Sequence, residues 1–333
     1  MIHQRPRCEN RPLSRVYSRG ERGFSHLGLL INHNLLLLFL LFVSFSACST
    51  SPVPTGAELP AVFASVEVVQ PYWQPFENGI NYFHGKITSP RLEFWALQID
   101  LSAPGLEIVV GSGAVNSDQQ NSQTLSTRVS SFVHGNNLIA GINASPFDVI
   151  SSRERQPIQN IGIVVSGGEL TAPAHPHYDA LVFYKDGKAA IVNQSAIVSI
   201  ENIKNAIGGF FEILTEGEPA QITVINETTI STGAAARHPR SAAGISQDGK
   251  YLYLLVIDGR RAGSIGSTRL ETALLLYALG SWTGINLDGG GSSALAMRVD
   301  GKVKVINTPI HGGIPGLERA VAGCIGARIS TPE

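Results

Sequence analysis

The chain has 333 residues, a formal net charge of −1 and only 15% charged side chains, so it lacks the concentrated basic surface that binding a nucleic-acid backbone requires. Its length allows a substantial buried core, in one large domain or two small ones, and the first is the simpler reading. With 35 glycines, 18 prolines and many Val, Ile and Thr, the composition favours strands and turns over a helical bundle: an α+β fold, β-rich, with mixed sheets and a few helices.

The N-terminal part carries Arg5, Arg7, Arg11, Arg15, Arg19 and Arg22 against Glu9 and Glu21, a long cationic leader without apolar periodicity. Leu35 to Val43 is almost pure Leu and Phe and too short to span a bilayer as a permanent helix. Ser44-Phe45-Ser46-Ala47-Cys48 ends it in small residues, so residues 1–48 read as an export signal. Phe45-Ser46-Ala47-Cys48 resembles a bacterial lipobox, with Phe45 where Leu is usual. It marks Cys48 as the expected lipidation site; the alternative is an ordinary signal peptide with an incidental cysteine. Residues 49–61, rich in Ser, Pro and Thr, are expected to form a flexible tether, placing the protein on the bacterial envelope, periplasmic or at the cell surface, through a lipid anchor. Met297 is the next methionine after Met1, and a start read too far upstream would account for the long leader. Cys8 and Cys324 are the other cysteines, which gives neither a disulfide framework nor a zinc site.

Residues 62–333 read as one globular domain. Ala61 to Val69 is expected to enter as an edge strand, Phe94 to Leu101 alternates as a strand, Ala103-Pro104-Gly105 turns, and Leu106 to Val110 forms the next strand. Ser122 to His134 places Leu125, Val129, Phe132 and Val133 at helical spacing, predicting an amphipathic helix that ends near Gly135. Leu138 to Asp148 reads as an apolar strand that delivers Asn143 and Asp148 into a loop, where Asn143 is either a substrate contact or the cap of a turn. Ile161 to Val165 is a further strand, and Ala180 to Tyr184 with Ala189 to Val192 flanks Lys185-Asp186-Gly187-Lys188 as a hairpin. Ala206 to Leu214 is an apolar run broken by Gly208-Gly209. His175 and His177 have no further ligand spacing beside them and read as a solvated loop.

The final third carries the chemistry. Arg237 to Ser246, the turn Gln247-Asp248-Gly249-Lys250 and the strand Tyr251 to Ile257 form a hairpin with Arg240 at one end and Asp258-Gly259-Arg260 at the other. Thr268-Arg269-Leu270-Glu271 is a capping-box pattern opening a helix that Gly280 stops. That helix feeds Ile285 to Met297, in which Asp288 precedes Gly289, Gly290, Gly291, Ser292 and Ser293. A carboxylate beside bare backbone amides suits an anionic substrate group, although three glycines also make a plain tight connection. No Lys follows the glycines, which excludes a P-loop.

In this order, Arg240-Ser241-Ala242-Ala243-Gly244, Asp258-Gly259-Arg260, the capped helix, Asn286 to Ser293 and Glu318-Arg319 resemble the phosphodiester glycosidase family. The resemblance is strongest over Arg237 to Arg319 and extends back to Asn143 and Gly208-Gly209. It departs at Ala144-Ser145-Pro146-Phe147, where the family usually has glycines and aromatics, and at Gly323, where Asn is common, so sugar specificity is more in question than reaction class.

The resemblance implies a hydrolase that cleaves a sugar from a glycosyl phosphodiester, acting on a glycan or sugar-phosphate substrate in envelope or exopolysaccharide material. The implied carboxylates are Asp288, Asp258 and Glu318, one as general base toward water and another as electrostatic partner of an oxocarbenium-like centre. Arg240 and Arg319, with the amides of Gly289, Gly290 and Gly291, are expected to hold the phosphate, each Arg having an ordinary ion pair as its alternative. Ser292 and Ser293 are expected to hydrogen-bond substrate, since Gly-Gly-Ser-Ser is not a nucleophile elbow. His238 and His311 are either acid/base groups or neutral loop histidines. No metal site is read and no cofactor is certain, with a divalent cation left open. The alternative function is a non-catalytic phosphoglycan-binding envelope lipoprotein; oligomeric state is not legible.

Overall fold

The computed structural model describes residues 65–67, 73–111, 123–220 and 236–330, all within one compact unit. The expected leader, Cys48 and the tether lie outside the described residues. The architecture is α+β and strand-rich, built on three sheets and two short α-helices among the described residues, and every pairing within the three sheets is antiparallel.

The largest sheet runs, edge to edge, through Ser65–Glu67, Ile80–Ser89, Arg91–Asp100, Tyr251–Ile257, Arg240–Ile245, Thr283–Asn286, Phe211–Thr215 and Glu218–Pro219. Its centre is the hairpin read from sequence, with Arg240 paired to Ile257 and Ile245 to Leu252 across the Gly249 turn. A second sheet orders Glu169–Ala172, Val164–Ser166, Ile203–Gly208, Asp179–Tyr184 and Ala189–Asn193. A third orders Lys302–Val305, Leu295–Val299, Ala140–Asn143, Cys324–Ile329 and Leu106–Gly111. Alternation gives each sheet one face for a shared core, where Leu97, Leu254 and Ile285 meet Leu181 and Ile207 of the second sheet and Ile142, Leu295 and Ile325 of the third.

The outer faces are covered separately. Ala273, Leu275 and Leu276 of the helix Arg269–Leu279 pack on Ala242, Leu255 and Ile257. Val129, Phe132 and Val133 of the helix Val129–Gly135 pack on Leu138, Ala296 and Cys324.

Two sequence expectations are corrected. The predicted helix Ser122–His134 begins only at Val129. Gln123–Leu125 instead pairs with Pro157–Gln159, and the amides of Ser126 and Thr127 donate to Gln156 and Val321, so those backbone groups are claimed by neighbouring chain before a helix can use them. The apolar run Ala206–Leu214 is two strands in two different sheets. The chain changes sheet at Gly209, where a Cβ would lie 2.8 Å from Ile285 Cδ1 and 2.9 Å from the Asn286 carbonyl.

The helix Arg269–Leu279 starts as its capping box dictates: Thr268 Oγ1 accepts from Glu271 N, the Glu271 carboxylate accepts from Thr268 N, and Gly280 ends it in the left-handed region at φ +111°. Glu271 is also held by both terminal nitrogens of Arg237. Thr268→Ala is therefore expected to lower the unfolding free energy by about 1 kcal/mol, and Glu271→Ala by more, since it also strands Arg237. Chemical denaturation at neutral pH checks both, and equal losses would show that the Arg237 pair is inert.

Candidate active site

The site lies where the strand Thr283–Asn286 runs out into the glycine loop. Its geometry is set first by backbone. Asp288 N donates to the Ala144 carbonyl at 2.8 Å, and Asp288 O accepts from Asn143 Nδ2 at 2.6 Å. Asn143 is fully buried, and its Oδ1 also accepts from Ser241 Oγ at 2.6 Å and Ala294 N at 3.2 Å. Every polar atom of that side chain is engaged inside the protein. Asn143, read from sequence as either a substrate contact or the cap of a turn, fixes the backbone of Asp288.

The loop itself turns tightly. Gly290 has φ +63°, its N–H donates to the Pro239 carbonyl at 2.8 Å, and Gly290–Ser292 makes a single 3-10 turn in which Ser292 N and Ser293 N donate back to Gly289 and Gly290. Close approach to backbone calls for glycine at Gly289, where a Cβ would sit 2.8 Å from the Pro239 carbonyl, while a Cβ at Gly291 would lie 2.4 Å from an Arg319 terminal nitrogen and displace that guanidinium. The expected phosphate cradle of three free amides is thus narrowed, because Gly290 N–H is spent on Pro239 and Gly289 N–H on the Asp288 carboxylate.

Asp288 keeps part of its surface in water, yet burial lifts its carboxyl to a pKa of about 6, against hydrogen bonds from Ser292 and Gly289 and the charge of Arg319. Arg319 Nη1 donates to Ser292 Oγ at 3.2 Å and Arg319 Nε to His311 Nδ1 at 3.1 Å. From Arg319 a run of cationic groups leads on, each within electrostatic reach of the next. Arg260 lies beside Gly290 with its Nη2 3.4 Å from His238 Nδ1, and its charge acts on Arg319; His238 also feels the charge of Arg240, which in turn feels that of Arg269. Burial and like charge push Arg240 down to about 10, and burial lowers Arg319 and Arg269 as well. His238 and His311 are both held below the usual histidine value by burial and then by neighbouring guanidiniums, which favours their neutral forms.

The other sequence-predicted residues fall into place around that run. Arg240 is 7% exposed and donates to the carbonyls of Ser267 and Ala236, so it braces the loop before the capped helix. Asp258 is buried, and its carboxylate accepts from Arg261, Asn307 and Thr308. Asn307 in turn accepts from Leu295 N and donates to the Ser293 carbonyl, so Asp258 supports the exit of the glycine loop. Burial raises the Asp258 carboxyl, with Asn307 and Arg261 opposing. Glu318 accepts from Ser130 N and Ser130 Oγ at the start of the helix Val129–Gly135, where Arg128 offers no side-chain cap. The structure therefore brings together Asp288, Arg319, Ser292 and the glycine loop, and turns the oxygens of Asp258 and Glu318 toward internal partners.

The chain also has counterparts among known proteins. A family model described as phosphodiester glycosidase matches residues 136–328. The chain belongs to the phosphodiester glycosidase family. It is 28% identical over 184 residues to an uncharacterised SPbeta prophage-derived protein, YomE, of Bacillus subtilis (strain 168); that match takes in 52% of this chain but 26% of the relative, so the chain spans about a quarter of the curated relative's length. In fold it is similar to the zebrafish N-acetylglucosamine-1-phosphodiester alpha-N-acetylglucosaminidase catalytic domain auto-inhibited by its pro-peptide, with TM-score 0.57, 18% identity, and coverage of 79% of this chain and 87% of that one. A hypothetical protein from Synechocystis shares the fold at TM-score 0.52 and 14% identity, over 80% of this chain and 64% of that chain. Membership of the phosphodiester glycosidase family supports a glycosidase-type hydrolase.

Arg260 was not among the residues read from sequence as binding groups, although it stands in the Asp258-Gly259-Arg260 motif. The structure exposes it and holds it at φ +57°, a left-handed position that costs a non-glycine residue energy, with its guanidinium 3.1 Å from where a Gly290 Cβ would be. Asn307 was likewise invisible as a partner, because its contact with Asp258 spans 49 residues, whereas His311, read as an acid/base group or a neutral loop histidine, accepts from Arg319 eight residues away.

A carboxyl whose folded pKa lies above its unfolded value favours the folded state fully only below the unfolded value, and that contribution is lost as pH rises through about 6. Asp288→Asn, which keeps the shape without the charge, is expected to be more stable than the parent at pH 8 by roughly 1–3 kcal/mol, with the gap closing below about pH 4. Denaturation across that pH range checks it; a pH-independent difference would refute the buried-charge account.

Proposed function

We propose that the protein hydrolyses the bond between a sugar and the phosphate of a glycosyl phosphodiester. The observation that carries this reading is the pairing of one desolvated carboxyl, Asp288, with an arc of guanidiniums. Arg319 and Arg260 hold the phosphate, because a guanidinium stays charged and meets two phosphate oxygens at once. Ser292 connects the two halves of the site, bonding both Asp288 and Arg319. Phosphate is a good leaving group, so the step draws little on a general acid, and the ionised Asp288 serves as the base that takes a proton from the attacking water. The sugar leaves with the water oxygen on its anomeric carbon and the phosphate stays on the remainder.

The zebrafish protein is an N-acetylglucosamine-1-phosphodiester alpha-N-acetylglucosaminidase, which makes N-acetylglucosamine 1-phosphodiesters the first substrates to try. The cationic leader, the short apolar run and Cys48 support an envelope lipoprotein acting on envelope or exopolysaccharide material. A second reading, recognition of a phosphorylated glycan without cleavage, is favoured by the internal engagement of Asp258 and Glu318, since most glycosidases use two free carboxyls.

Release of free sugar from methyl phosphodiesters of N-acetylglucosamine 1-phosphate and glucose 1-phosphate separates the two readings. Hydrolysis predicts a kcat/KM that rises with pH through an apparent pKa near 6, set by loss of the Asp288 proton. Asp288→Asn is expected to lower kcat by roughly 10²–10⁴-fold while the phosphodiester still binds. Binding without sugar release would select the second reading, and full turnover by Asp288→Asn would refute the first.

A further inference from the structure

The cation arc ends at Arg269, and there the surface changes character. Phe211 is 40% exposed beside that guanidinium, which lies 5.5 Å from its ring centre. Behind it stands a fixed aromatic cluster: Tyr178 meets Phe211 edge-on at 5.4 Å and Phe210 at 5.2 Å, and His175 stacks on Tyr178 at 4.0 Å. The cluster is tied to the strand that leads to Asp288. Phe210 N donates to the Asn286 carbonyl, and Phe211 is the direct cross-strand partner of Asn286. Directly opposed residues of an antiparallel pair present their side chains on one face, so Phe211 and Asn286 share a face two residues before the acid.

Asn286 supplies a second and independent observation. It is 4% exposed, its Nδ2 donates to the Leu287 carbonyl, and its Oδ1 is buried without a hydrogen-bond partner. A buried amide oxygen left without a donor is costly, and a ligand hydroxyl brought to it would complete its bonding. Large rigid rings flanked by a few polar groups are how proteins orient small ligands. Sugars match this pattern, since one side of a pyranose ring is a patch of C–H groups and its edge carries hydroxyl donors.

Resting on the hydrolase reading above, we propose that Phe211 and Asn286 form the sugar subsite of this protein. The apolar side of the pyranose packs on the exposed part of Phe211, Tyr178 holds that ring in place, and Asn286 Oδ1 accepts a sugar hydroxyl. The phosphate then falls on the arc between Arg269 and Arg319, with the anomeric carbon toward Asp288. No bond is made or broken by this subsite; Phe211 and Asn286 select and orient the sugar.

The test uses the two methyl phosphodiesters named above as probes and inorganic phosphate as a competitor that engages the arc alone. Phe211→Ala is expected to raise KM for both probes roughly tenfold with kcat nearly unchanged, Phe211→Trp to restore it, and the inhibition constant of inorganic phosphate to stay the same in all three. Tyr277→Ala, which removes a ring of similar exposure on the far part of the capped helix, is the control expected to change nothing. An unchanged KM in Phe211→Ala, or a parallel loss of phosphate inhibition, overturns the subsite while leaving hydrolysis standing. Should the parent protein release no sugar, probe binding by titration calorimetry decides: weaker binding in Phe211→Ala keeps the subsite and discards hydrolysis, equal binding discards the subsite, and no binding discards both.

Discussion

The side chain of Asn143 is the joint on which the site depends. It ends a strand of the third sheet, and its amide spans to the Asp288 carbonyl beyond the large sheet, to Ser241 within that sheet, and to Ala294 at the return of the chain. Two sheets that share a core are thereby registered to each other at one fully buried point. An amide suits this position because it offers donors and an acceptor together and carries no charge to desolvate. Asp288 inherits its placement from that joint, so the acid is presented by backbone and needs no contact on its own carboxyl to hold it there.

Freed from a structural task, the Asp288 carboxyl can be left in an unfavourable environment. Burial raises it although Arg319 stands near, which means desolvation outweighs the attraction of the guanidinium. Asp258 shows the opposite arrangement. Its carboxylate is raised by burial too, but Arg261, Asn307 and Thr308 occupy its oxygens, and it stabilises the loop exit rather than facing a cleft. The two acids share a residue type and differ in what their oxygens touch, and on that difference the proposed function gives Asp288 the reactive role and Asp258 that of a brace.

Much of this was legible in the sequence wherever the pattern is local. The hairpin about Gly249, the capping box at Thr268 and the stop at Gly280 all follow from residues within a few positions of one another. The acid before three glycines was legible for the same reason. What could not be read were roles set by distant partners: Asn143 meets Asp288 across 145 residues, and Glu318 meets Ser130 across 188. A motif names the residue types that gather at a site, but whether a carboxylate faces substrate or a helix end is decided by strands far away in the chain. The helix expected over Ser122–His134 failed likewise, because its first turns are taken by pairing with Pro157–Gln159.

The arc of guanidiniums carries its own consequence for binding. Arg240 is pushed down to about 10, and Arg319 and Arg269 are lowered as well, by burial first and, for Arg240 and Arg319, by each other's neighbours in the arc. Each shift measures how poorly these charges are solvated where they stand. An anion entering among them relieves both burdens at once, restoring a counter-charge and separating like charges by an intervening opposite one. Asp288 already does this for Arg319, whose pKa its charge raises against burial. In the proposed function the phosphate adds to that compensation beside Arg319 and Arg260, the two guanidiniums that the glycines admit so close to the backbone.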